Sequence, residues 1–149
     1  MGNLFNVNEV KLTYKRVIEL SEIPKVLNTK DVYNVLKECF DNETIDLTTS
    51  FKVLLLSPAK SVVGILNVSE GHTFAKTKVK LIMQAALLSN ANRIIITHNH
   101  TDGDLTIRAM DDFVTKQVKK ACEIMNIELF DSIIITSESY YSYAENKRL

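Results

Sequence analysis

The sequence predicts an α/β (α+β) protein, a mixed β-sheet flanked by helices. Two observations carry this. Short, dense apolar runs at 51–56, 61–68, 94–96 and 133–135 read as buried strands. Between them stand segments with apolar residues three and four apart, the spacing of a helix with one buried face. Strands and helices that alternate in this way bury each other's apolar faces in layers.

Residues 8–15 alternate polar and apolar side chains and predict a half-buried strand. Pro24 and its polar surroundings break the chain. Thr29 is placed to cap a helix with Val32, Val35, Leu36, Cys39 and Phe40 on one face, and Asp41-Asn42 ends it. The runs 51–56 and 61–68 flank the turn Ser57-Pro58-Ala59-Lys60 and predict an antiparallel pair. Gly71 opens a loop, after which Val79, Ile82, Met83, Ala86 and Leu87 follow at helical spacing. Residues 92–97 predict a short buried strand, and the polar loop 98–106 leads into a long helix. Its expected apolar face is Met110, Phe113, Val114, Val118, Ala121, Cys122 and Met125. Residues 127–136 predict one bent strand or two, and Tyr140, Tyr141 and Tyr143 are expected to pack near the end. No repeat or linker marks a second domain. Residues 1–43 read as a strand-and-helix extension on a domain spanning 44–149, together one unit.

A chain of 149 residues is long enough to build a core without disulfide or metal staples. Lys+Arg and Asp+Glu balance at 18 each, so strong DNA binding is not expected. The nearest basic groups, Lys116/Lys119/Lys120 and Lys76/Lys78/Lys80, read as solvated helix surface. Cys39 and Cys122 lie among apolar residues and fit no zinc ribbon or redox pair. No apolar run approaches the ~20 residues of a membrane span, and no apolar signal core follows the N-terminus. The expected location is cytoplasmic, with no membrane partner.

The stretch 94–104, Ile-Ile-Ile-Thr-His-Asn-His-Thr-Asp-Gly-Asp, carries two of the three histidines, His98 and His100. In extended chain, residues two apart point the same way, so both imidazoles can reach one ion. Gly103 permits a sharp turn, and Asp111 falls where the next helix begins and can point back across the loop. Two imidazoles and a carboxylate form a known three-ligand set for catalytic zinc. A His-x-His in a polar loop is also often plain surface, and Asp102, Asp104, Asp111 and Asp112 equally suit a helix N-terminus. Spacing alone leaves both readings open.

The run His98-Asn99-His100, ten residues, then Asp111 resembles the His-x-His-x10-Asp part of the JAMM motif. The flanks are similar to RadC-like proteins: 85–91 before the strand, 127–135 after the long helix, and Tyr141-Ser142-Tyr143-Ala144 at the end. The opening, Asn3-Leu4-Phe5 through Tyr14-Lys15, resembles short RadC-like proteins of Bacteroidetes-type mobile elements. The resemblance covers nearly the whole chain. It implies a JAB/MPN fold with a curved mixed sheet and flanking helices, and one zinc on His98, His100 and Asp111, with Asn99 between them. The family's other features fall on altered positions. Thr101 and Asp102 replace the usual Pro-Ser. Arg108 occupies the position of the motif serine that steadies the oxyanion. Thr49 stands where the upstream glutamate, the general base, is expected. Ser132 replaces a histidine after Asp131. Asp46, Glu43 or Glu70 are the candidate substitute bases, Asp46 foremost. His72 reads as an exposed loop histidine rather than a further ligand. An Arg108 guanidinium beside zinc would weaken metal binding unless Asp102 or Asp104 pairs with it.

Three functions follow from the resemblance. The first is a zinc-dependent metallopeptidase or isopeptidase with a partly degenerate motif. The second is a catalytically inactive JAB/MPN pseudoenzyme that serves as a protein-interaction module. The third is the DNA-processing accessory role that the RadC name suggests, against which the neutral charge counts. A protein or peptide is the expected partner, and a homodimer is expected by analogy with JAB/MPN domains.

Overall fold

The computed structural model describes residues 7–11, 13–70 and 78–149, apart from the side chain of residue 70. The sheet is built on two central strands, β1 (Ser50–Leu56) and β3 (Arg93–Asn99), each buried at every position after its first. Strands covered on both faces read as unbroken apolar runs, which is why Leu54-Leu55-Leu56 and Ile94-Ile95-Ile96 show no alternation. β2 (Val62–Glu70) lies outside β1, and β4 (Glu128–Ile135) and β5 (Tyr140–Ser142) extend the sheet beyond β3, giving the order β2-β1-β3-β4-β5. All neighbours are antiparallel except β3 and β4. A parallel step needs a crossover, and α3 (Ala109–Ile124) supplies it. The mixed sheet with helices on its faces is the fold expected of a JAB/MPN domain.

Alternating side chains divide two cores between the faces. Phe51, Val53, Leu55, Ile94 and Ile96 pack with α2 (Val79–Leu88) and α3. Leu54, Leu56, Ile95, Ile133 and Ile135 pack with Val32 and Leu36 of α1 (Thr29–Cys39). Among the described residues, no helix is long and apolar enough to cross a membrane.

Some elements differ from the sequence expectations. The strand expected over 8–15 is not formed at its described residues, which are exposed and join no ladder. A strand needs a backbone partner, and what ties the described residues to the sheet is a side-chain bond, the Tyr14 hydroxyl donating to the Val63 carbonyl at 2.6 Å. The cap of α1 is Asn28 rather than Thr29, its Oδ1 accepting from the Asp31 N–H at 2.9 Å. Residues 128–135 form one strand, with an irregular register opposite Ile94 and Ile95 rather than a break. On α3 the inward face is Asp111, Val114, Thr115, Val118 and Cys122, while Met110, Phe113 and Met125 are about two-fifths exposed. Both stripes have helical spacing, and the sheet takes the one that carries Asp111.

Thr97 is fully buried, and its hydroxyl makes no hydrogen bond among the described residues. Replacing such a group by an apolar one of the same shape removes a desolvation cost. Thr97→Val is expected to stabilise the protein by about 1 kcal/mol, read as a higher urea midpoint at unchanged slope.

Candidate metal centre

The C-terminal end of β3 carries the candidate ligands. The strand alternation that sends Ile94 and Ile96 toward α3 sends His98 and His100 the same way. Their partner comes from the first turn of α3. His98 Nε2 lies 2.9 Å from Asp111 Oδ1, His100 Nε2 3.2 Å from Asp111 Oδ2, and the two Nε2 atoms are 3.2 Å apart. All three side chains are buried, and the Phe51 ring of β1 stacks parallel to His98 with centroids 6.2 Å apart. Of the described residues, these three alone form a His/Cys/Asp/Glu group of metal-binding geometry.

The loop between the ligands is held by its own side chains. Gly103 takes a positive φ of 76°. Asp102 Oδ1 accepts from the Asp104 N–H, and Asp104 Oδ1 from the Thr106 N–H. This order brings the Asp104 carbonyl within 2.6 Å of His100 Nδ1. A carbonyl can only accept, so Nδ1 carries the proton, and in the neutral ring the Nε2 lone pair faces Asp111. Metal-binding histidines are commonly fixed by this kind of bond.

Two imidazole nitrogens and a carboxylate turned toward one point need a cation between them. A proton can serve, and the electrostatics show it. Burial would raise the Asp111 carboxyl, but hydrogen bonds from His100 and His98 outweigh it and hold the group well below the usual carboxylate range. Burial also pulls His100 down, yet Asp111 and the Asp104 carbonyl leave it raised. For His98 burial wins, and its pKa is lowered. A divalent ion suits the same donor set better, since it can take all three at once, and imidazole with carboxylate suits zinc. The residues therefore fit the ion that the sequence suggests.

On the opposite face, Asn99 clamps the approach to β1. Its Nδ2 donates to the Ile45 and Thr48 carbonyls at 2.6 and 2.9 Å, and its Oδ1 accepts from the Ser50 N–H at 2.7 Å. Position 49, half-buried, is thereby placed at the head of β1. It precedes the strand, and continuing the two-residue period of β1 would put it on the side of Phe51, the partner of His98 in the ladder.

Arg108 caps α3 from outside. Its N–H donates to Asp111 Oδ2 at 2.8 Å, which aims the carboxylate. Its guanidinium has no acceptor atom to return the bond that a cap serine would give the Asp111 N–H. Instead it is half-exposed and paired with Asp102, so the expected partner is present. Asp46 is exposed and lines a depression with Thr101, Asp102, Gly103, Thr136, Ser137 and Glu138, which none of the three ligands borders. Glu43 is exposed in the turn before it. Glu70's side chain and His72 lie outside the described residues. Ser132 is buried and shares a 2.9 Å hydrogen bond with Thr115, one turn along α3 from Asp111. The sequence reading missed the Asp104 carbonyl, which leaves no mark in residue type. It also missed the Asn99 clamp, for which an amide between two histidines is a weak signal.

Comparison with known proteins agrees with this geometry. The model of the RadC-like JAB domain matches residues 26–148. A UPF0758 protein of Flavobacterium johnsoniae is 26% identical over 88% of this chain and 56% of its own length. One from Chlorobium phaeovibrioides is 30% identical over 98% of this chain and 62% of its own. A third, from Thermotoga maritima, is 30% identical over 88% and 58%. The chain thus spans about three-fifths of the length of these curated relatives. With a matching model over most of its length and the His-x-His-x10-Asp residues drawn together at the end of β3, the chain belongs to the RadC-like JAB domain family.

Proposed function

We propose that this protein is a metallopeptidase-type zinc protein in which His98, His100 and Asp111 hold one ion and face a peptide or isopeptide substrate. The observation that supports it most is the convergence of both Nε2 atoms on Asp111, with His100 Nδ1 tied to the Asp104 carbonyl. Bound there, zinc would supply Lewis acidity toward a water and a substrate carbonyl. The chain's own residues supply the rest. Asp104 fixes the His100 tautomer, the Arg108 N–H orients Asp111, and Phe51 shields one face of His98 from water.

A second reading, a catalytically silent module that binds a protein partner, is favoured by one feature. Thr49 cannot accept a proton near neutral pH, and Asp46 and Glu43 are exposed while the three ligands are buried. The first test is metal content after expression with zinc and purification without a histidine tag. About one zinc per chain is expected, and none in His98→Ala/His100→Ala. Absence of zinc from the wild type would overturn the metal reading. Zinc without hydrolysis of any peptide or isopeptide would leave the second reading in its place.

A further inference from the structure

We propose that the sheet face opposite the metal ligands carries a subsite for a small oxyanion, a carboxylate in preference to phosphate, held by Lys52 and Ser50. Lys52 interrupts the apolar run of β1, and only 7% of it is exposed. Its ammonium donates to Asn67 Oδ1 and lies 5.2 Å from the centre of the Phe40 ring. No carboxylate among the described residues pairs with it, although Arg93, Arg108 and Arg148 each have one. An amide oxygen and an aromatic face compensate a buried charge only in part.

Beside Lys52 opens a cavity of about 290 Å³, lined by Phe40, Thr44, Ile45, Thr48, Ser50 and Lys52. The Ser50 hydroxyl is a second buried donor that has no hydrogen-bond partner among the described residues. The wall is preformed, because the Asn99 amide holds the Ile45 and Thr48 carbonyls. At ~30 Å³ per water, the space suits a small ligand of up to about ten heavy atoms. Phe40 and Ile45 give one side of it an apolar surface, which suits an aliphatic tail. Asp41 also borders the cavity, with Oδ1 accepting from the Glu43 N–H, and its charge disfavours a doubly charged phosphate. Position 99 points away from the face that holds His98 and His100, so this subsite stands apart from the metal reading and does not depend on it.

The test is calorimetric titration of the whole chain with sodium butyrate and with sodium phosphate, against sodium chloride at equal ionic strength. Wild type is expected to bind butyrate saturably and phosphate more weakly. Lys52→Met, which keeps the aliphatic stem, is expected to lose about tenfold or more in affinity. Ser50→Ala is expected to weaken binding several-fold while folding at least as stably, since it removes an unbonded buried hydroxyl. If Lys52→Met does not fold, Ser50→Ala decides alone. Tighter binding of phosphate than of butyrate would overturn the carboxylate assignment. No saturable binding of either anion, or unchanged binding in the folded variants, would overturn the subsite.

Discussion

Thr49→Glu combined with Arg108→Ser is expected to raise hydrolysis of a mixed peptide library by the zinc-loaded protein about 10²–10⁴-fold over wild type. The centre holds its ligands in place, and among the described residues the acids expected to take the proton from an attacking water, Asp46 and Glu43, are exposed, while Thr49 cannot take it. Continuing the period of β1 would position residue 49 for this. The Asn99 clamp fixes the chain just before β1, and the alternation that turns Phe51 onto His98 turns position 49 to the same side. At position 108 serine has two consequences. It removes a cation that now leans out to Asp102, and its hydroxyl can accept from the Asp111 N–H while Asp111 continues to accept from the backbone of residue 108. The Asp111 N–H already donates to the Arg108 carbonyl at 3.0 Å, so the hydroxyl shares that bond rather than satisfying an orphan donor, and the variant is expected to fold about as well as wild type. Thr49→Gln/Arg108→Ser has nearly the same shape and no base, and its rate is expected to stay at the wild-type level. The gain is expected to vanish on chelation and to rise with pH through the titration of the new carboxyl. A zinc-loaded Thr49→Glu/Arg108→Ser protein as inert as its glutamine counterpart would show that position 49 does not reach the reacting water.

What the sequence revealed follows from how local each signal is. His98 and His100 were legible because two residues at the end of a strand share a face whatever the rest of the fold does. Asp111 was legible through its fixed distance from them and the helix start that its loop implies. The strand expected at 8–15 failed because alternation states only that one face can be buried, and its described residues join no ladder. On α3, Met110 and Phe113 misled because hydropathy ranked them above Asp111 and Thr115. The inward turn of that helix is set by polar contacts, Asp111 with the histidines and Thr115 with Ser132, made across 11–17 residues. Lys52 lay hidden inside an apolar run. Its burial depends on α1 reaching over β1, with Phe40 laid against the ammonium.

Asp131→Ala is expected to destabilise the protein by about 3–5 kcal/mol, while Asp131→Asn is expected to be at least as stable as wild type at pH 7. Only 2% of Asp131 is exposed, and it receives three donors at the junction of β4 and β5. The N–H groups of Ser132 and Ala144 reach Oδ1, and the Ser142 hydroxyl reaches Oδ2. Alanine leaves two buried donors, the Ser132 N–H and the Ser142 hydroxyl, and the part-buried Ala144 N–H without their acceptor, a buried one costing ~1–3 kcal/mol and the costs not strictly additive. Asparagine keeps Oδ1 for the two N–H groups, and its Nδ2 can donate to Ser142 Oγ once that hydroxyl turns. The carboxylate also carries a charge that burial disfavours, and its pKa is raised despite the three donors. A folded-state pKa above the unfolded one means that the native state binds more protons between the two values. Stability from this group is therefore full below the ordinary carboxylate range and falls as pH rises through the raised pKa. The advantage of Asp131→Asn over wild type should thus grow across that interval, stay level above it and disappear below it. Urea denaturation of the three proteins between pH 3 and 7 measures this directly. An advantage of Asp131→Asn that is independent of pH would show that Asp131 is not charged at a cost in the native state. An Asp131→Ala protein as stable as wild type would show that the three donors find other acceptors.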